Sequence, residues 1–170
     1  MKSINDYSGQ ELQWVHPNRL RAEYELRAGE EVLARLHWKG ALTSRVLAET
    51  ADGSWAIERK GITQSITVLA LDADRELATI TRGISGQATL LFADGREHRW
   101  QSTSFWRDVW TWVNSEGTPL LHLKRGAHVQ LEPAAQGLPE LVLLTALGWY
   151  LHKQQEEEAA IASIVPMIGH

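Results

Sequence analysis

LPELVLLTALGWYL, residues 138–151, is the most apolar run in the chain. Pro139 suits the first position of a helix, where its missing N–H would have no partner anyway. Glu140 follows in the first turn, where the positive end of the helix dipole favours a carboxylate. From Leu141 to Leu151 only Thr145 and Gly148 interrupt apolar side chains that point in every direction. A helix that is apolar all round must be enclosed by protein or by lipid. This one rises roughly 21 Å at 1.5 Å per residue, short of a bilayer core of about 30 Å. Glu140 stands at its start and His152-Lys153 at its end, so the sequence predicts a protein-buried helix and no transmembrane span. Leu138, Leu141, Val142, Leu143, Leu144, Leu147, Trp149, Tyr150 and Leu151 are its large apolar residues. Burying each is worth about 1.5–3 kcal/mol. Gly148 is expected to let a strand or a large side chain approach closely.

Good helix formers continue past the apolar run, but Glu156, Glu157 and Glu158 belong in water. The central helix is therefore expected over 138–158, leaving its enclosure near His152. Residues 159–170 read as a moderately apolar tail that Pro166 separates from any helix. The tail is expected to fold back on the body or to pack on a neighbouring subunit.

Before residue 138 the chain reads as short strands between turn signals. Strands are expected at 12–16, 20–27, 32–38, 42–49, 55–59, 62–71, 76–81, 87–92, 96–102, 105–113, 119–124 and 127–132. In the second, Leu20, Ala22, Tyr24 and Leu26 alternate with charged residues. In the third, Val32, Ala34, Leu36 and Trp38 line one face. Ala51-Asp52-Gly53, Ala93-Asp94-Gly95 and Ser115-Glu116-Gly117 are turn signals. The fold class that follows is mainly β: an antiparallel barrel of about twelve strands over 12–132, enclosing the C-terminal hydrophobic helix. Closure removes exposed strand edges, and so wide a barrel needs a filler. At 170 residues the chain is expected to form one domain.

This pattern resembles the tubby C-terminal-like superfamily, which includes tubby domains, LURP-one-related proteins and phospholipid scramblases. The strand series over 12–132 and the helix LPELVLLTALGWYLHKQ carry the resemblance. It implies a twelve-stranded barrel around a central hydrophobic helix. Tubby domains bind phosphoinositides through basic residues, and scramblases are associated with membranes and calcium. This sequence has no cysteine-rich segment for acylation, no recognisable calcium loop and no strongly basic patch.

The chain lacks cysteine, which excludes disulfides, a thiolate nucleophile and Cys-ligated metal. That suits a cytoplasmic protein, and no signal-peptide pattern opens the sequence. A net charge of -4 argues against nucleic acid as the partner. No G-x-S-x-G elbow, P-loop or dinucleotide fingerprint occurs. The seven histidines form no helical metal pair, so neither a metal nor a cofactor is implied.

Two groups stand out as candidates. Lys60, Lys124 and Arg125 flank glycines at turns, as a headgroup- or phosphate-binding pair of turns would. The plainer reading of the same residues is ordinary solvated turn charge. Residues 105–113, read as one strand, put Trp106, Asp108, Trp110 and Trp112 on one face. That row either packs the barrel wall or forms an aromatic binding surface. The expected function is a non-enzymatic binding module, peripheral to a membrane, holding an anionic lipid headgroup at a basic barrel end. An alternative is a protein-interaction or oligomerising domain using the Trp-rich strand or the tail. A third is a hydrolase with strand-borne acids, which would need a deep polar cleft.

Overall fold

A computed structural model describes residues 1–39, 45–60, 65–103, 106 and 108–168, with side chains as far as Ile164. Twelve strands form one closed antiparallel barrel. They are β1 (Leu12–Val15), β2 (Glu23–Ala28), β3 (Glu31–Trp38), β4 (Arg45–Thr50), β5 (Gly53–Lys60) and β6 (Ser65–Ala70), followed by β7 (Arg75–Arg82), β8 (Ala88–Phe92), β9 (Glu97–Ser102), β10 (Trp110–Asn114), β11 (Pro119–Lys124) and β12 (His128–Leu131). Each strand pairs with its neighbours in sequence, and β1 closes the ring on β12 through Leu12↔Val129 and Gln13↔His128. Helix α1 (Leu141–Ile168) follows and runs through the lumen. Twelve strands about 4.8 Å apart make a ring roughly 18 Å across even before tilt. A helix about 10 Å wide fills that space together with one layer of wall side chains.

The enclosed helix is as apolar as its sequence requires. Leu141 to Leu151 are buried without exception, and burial fades between His152 and Gln155. The wall meets it with tryptophan. Trp14, Trp55, Trp100, Trp110 and Trp112 are buried on the strands, and Trp149 on the helix stacks on Trp14 at 5.5 Å. Gly148 lets the two layers come close. A Cβ there would lie 3.0 Å from the Trp100 ring and 3.2 Å from Nε1 of Trp112. Trp112 also donates its Nε1–H to the Leu144 carbonyl at 2.8 Å, tying the wall to the helix backbone.

Four sequence expectations are corrected. Leu20 is not inside a strand: β2 begins at Glu23, and Leu20 lies exposed in the turn before it. Pro17-Asn18 and the Leu20 N–H donated to Asn18 Oδ1 hold that turn instead. The β2–β3 register slips by one residue between Leu26 and Arg27. Leu33 and Ala34 are therefore both buried, while Val32 is half-buried. Third, α1 starts at Leu141 instead of Leu138. Residues 133–140 must first carry the chain across the outside of β11 and turn it into the lumen. Gly137 takes a left-handed φ of 80° there, and the Glu140 carbonyl accepts the first helical bond from the Leu144 N–H. Fourth, α1 does not stop at 158 but continues to Ile168. Alanine-rich sequence favours that continuation, and Pro166 falls in the last turn, so the bond and the close carbonyl contact it costs are confined to the helix end. His152 is consequently a mid-helix residue, with Nε2 3.1 Å from Glu156.

The expected strand 105–113 begins only at Trp110. Trp110 and Trp112 face inward, whereas Trp106 stands in the preceding connection, 80% exposed. The three tryptophans therefore do not form a single aromatic row. Parts of the expected strands 42–49 and 62–71, and Phe105 and Arg107, fall outside the described residues.

Candidate functional site

Strict antiparallel order sends alternate turns to opposite ends of the barrel. One end holds the β2–β3, β4–β5, β6–β7, β8–β9 and β10–β11 turns, and α1 enters there. The other holds the β1–β2, β3–β4, β5–β6, β7–β8, β9–β10 and β11–β12 turns, and α1 leaves there. This alternation sorts the charges. Every turn at the entry end carries an exposed carboxylate: Glu30, Asp52, Asp72 with Asp74, Asp94, and Glu116. The exit end carries Arg19, Arg21, Lys39 and Arg125 on its turns, and Lys60, Arg82 and Lys124 at the strand ends beside them. The β9–β10 turn holds Asp108, whose carboxylate lies 3.7 Å from Arg125. Turn by turn, a protein with net charge -4 thus has one acidic and one cationic rim, with Arg96 as a cation in an entry-end turn and Glu156, Glu157 and Glu158 on α1 within the exit mouth.

The three cations singled out in the sequence all lie at that end, but not together. β5 and β11 are six strands apart in either direction around the ring. Lys60 therefore faces Lys124 and Arg125 across the full mouth, with α1 standing between. They cannot hold one phosphate jointly. Lys124 and Arg125 line a surface groove of about 550 Å³, with Gly9, Gln10 and Glu11 along one side and β12 forming its other wall. Gly126 at the β11–β12 turn has φ +81°, a conformation that suits glycine, and its carbonyl accepts from the Gln13 side chain at 3.0 Å.

Where α1 leaves the mouth, polar contacts grip it. Arg82 pairs with Glu158 through two oxygens, one of them 2.9 Å from Nη2. Lys153 binds Glu156 at 2.6 Å and lies over the Tyr24 and Trp149 rings. Gln154 donates to the Tyr150 hydroxyl at 2.7 Å. Burial pushes the Tyr150 pKa up to about 12, against the opposing pull of Arg59 and Arg82. Past this collar the helix projects from the barrel. From Glu156 to Ile168 it rises about 20 Å, and Ile161 and Ile164 on it are exposed. Three turns of the same end also expose large apolar side chains: Leu20 (95%), Ile84 (86%) and Trp106 (80%). Leu71 is the corresponding exposed residue in the entry-end turns, at 39%.

Two polar constellations lie elsewhere. On the outer wall Thr111 Oγ1 lies 2.6 Å from His122 Nδ1, and His122 Nε2 lies 2.7 Å from Glu132. The connectivity is that of a nucleophile, a base and an orienting acid. Thr111 is fully buried, so no substrate reaches its hydroxyl, and the chain of bonds serves to clasp β10, β11 and the segment after β12. At the entry end Glu140 is buried against Arg96 Nη1 at 2.6 Å and His98 Nε2 at 3.2 Å. Burial alone would raise its pKa, but Arg96, its own backbone N–H and His98 together hold it below the usual carboxylate value. No group of three or more His, Asp or Glu placed to hold a metal ion occurs among the described residues. No helix among them is long and apolar enough to cross a membrane.

The apolar tips escape a sequence reading because a lone Leu or Ile in a short turn looks like a strand residue. The neighbouring signals are there: Arg19 and Arg21 flank Leu20, and Gly83 and Gly86 bracket Ile84. The chain matches no protein-family model, no curated protein and no solved structure.

Proposed function

We propose that this protein is a non-enzymatic binding module for an anionic phospholipid surface, engaged through the helix-exit end of the barrel. The segregation of charge by barrel end carries this reading. Basic residues near an anionic leaflet contribute about 1 kcal/mol each, and here they sit on turns around one rim. The cytoplasmic leaflet is the anionic one, which fits a cytoplasmic, peripheral protein without cysteine. Membership of the tubby-like superfamily is part of the same proposal and is supported by the barrel-and-helix architecture. A hydrolase reading has less support, since the Thr111–His122–Glu132 arrangement is closed to substrate.

Cosedimentation with vesicles tests the proposal. Retention on vesicles containing phosphatidylserine, absent on phosphatidylcholine alone and weakened by salt, is the expected result. Neutralising Lys124 and Arg125 together, as Lys124→Gln and Arg125→Gln, should weaken retention roughly thirtyfold at about 1 kcal/mol per charge. Equal binding to neutral and anionic vesicles would refute it. The exposed apolar helix end favours a second reading, a module that self-associates through α1. Mass rising with concentration in the absence of lipid would favour that one.

A further inference from the structure

We infer that the projecting end of α1 is a monotopic anchor that enters one leaflet of the bilayer, with the barrel standing end-on above it. The inference rests on the lipid reading and goes beyond it, because charge alone would hold the protein at the headgroups. Residues 159–168 contain no charged residue, and α1 remains helical through them. As a helix they rise about 15 Å, half of a hydrocarbon core about 30 Å thick. That length matches the depth of one leaflet. Along its length the backbone groups are paired within the helix, which suits hydrocarbon, while the last four carbonyls at its end still need polar partners.

The layers beneath the anchor fall in the order a membrane surface demands. Glu156, Glu157 and Glu158 come next down the helix, and Glu156 and Glu158 are matched by Lys153 and Arg82. Around them the rim presents the cationic turns at headgroup depth. Leu20, Ile84 and Trp106 project from three of those turns, and an indole suits the interface between headgroups and chains. A second copy of the chain would satisfy the apolar helix end but would bring two cationic rims together. The bilayer satisfies both features.

Because the chain has no cysteine, a single introduced cysteine carries an environment-sensitive fluorophore without interference. The probes are Ile161→Cys on the anchor, Ile84→Cys on the rim and Glu30→Cys at the opposite end. The vesicles contain phosphatidylserine, with and without nitroxide-labelled acyl chains. The Ile161→Cys probe should shift to the blue and be quenched by the acyl-chain nitroxide. The Ile84→Cys probe should respond less, and the Glu30→Cys probe should keep its aqueous spectrum. The unlabelled pair Ile161→Asp and Ile164→Asp should lose vesicle affinity by about tenfold or more while keeping the melting temperature, since both positions are exposed. Salt-sensitive vesicle binding with an aqueous Ile161→Cys spectrum would overturn the anchor and leave the charge reading standing. No vesicle binding at all would overturn both. A blue shift that appears without lipid and grows with protein concentration would overturn the anchor and assign the helix end to a second copy instead.

Discussion

Gly148 shows how a single residue sets the spacing between helix and wall. Trp100 is 1% exposed and wedged between Trp110 and Trp112, so its ring has nowhere to yield. Gly148→Ala gains helix propensity of about 1 kcal/mol but inserts a methyl 3.0 Å from that ring. Overpacking of this kind costs about 1–3 kcal/mol, so the clash should win. Chemical denaturation should show Gly148→Ala destabilised by about 1 kcal/mol, and Gly148→Leu by more; an Ala variant more stable than the parent would show that the Trp cluster gives way. Glu140 makes the matching case for charge. Its carboxyl titrates below the ordinary value of 4.5 when folded. Its contribution is therefore complete above that value and is lost as pH falls below it and through the folded pKa. Melting temperature followed downward from about pH 5 should decline less steeply in Glu140→Gln than in the parent. At neutral pH the same variant should be less stable by about 1–3 kcal/mol, the cost of disturbing a buried polar cluster.

At the scale of elements, the helix and most of the strands are legible in the sequence because their signals are local. An all-round apolar run has only one kind of environment, and turn chemistry marks strand ends. What stays hidden depends on partners. The register slips between Leu26/Arg27, Val68/Leu69 and Trp112/Val113 follow from how β3, β7 and β11 meet their neighbours, which no single strand encodes. Residues 105–113 alternate well enough to read as a strand, yet pairing with β9 begins at Trp110↔Ser102. Pro166 reads as a stop in the sequence, but it lies in the last turn of α1, and the helix runs past the expected end at 158. The collar makes its own prediction. Glu158→Gln removes the charge that Arg82 grips with a largely covered side chain. Hydrogen exchange should then quicken in residues 156–164 and stay slow in 141–151, where burial does not depend on the pair. Uniform quickening along the whole helix would mean that the exit contacts hold the buried part as well.

The whole molecule carries the property that composition conceals. A net charge of -4 argues against anionic partners only if charge is spread evenly, and here it is not. The sorting is within reach of the sequence: numbering the strands and sending alternate turns to opposite ends separates Glu30, Asp52, Asp72, Asp94 and Glu116 from Arg19, Lys39, Lys60, Arg82 and Lys124. The separation of Lys60 from Lys124 and Arg125 is not within reach in the same way. Only ring closure places β5 and β11 on opposite sides of the mouth. The same parity brings the apolar tips and the helix exit to the cationic end.

The most direct measurement compares the two ends in one assay. Vesicle affinity on phosphatidylserine-containing membranes would be measured for Arg19→Gln with Lys124→Gln at the exit end, and for Glu30→Gln with Asp52→Asn at the entry end. The exit-end pair should bind far more weakly and with a shallower salt dependence, and the entry-end pair should bind as the parent does. Tighter binding by the entry-end pair, as large as the weakening in the exit-end pair, would mean that only net charge matters, and would contradict a binding surface built from one end of the barrel.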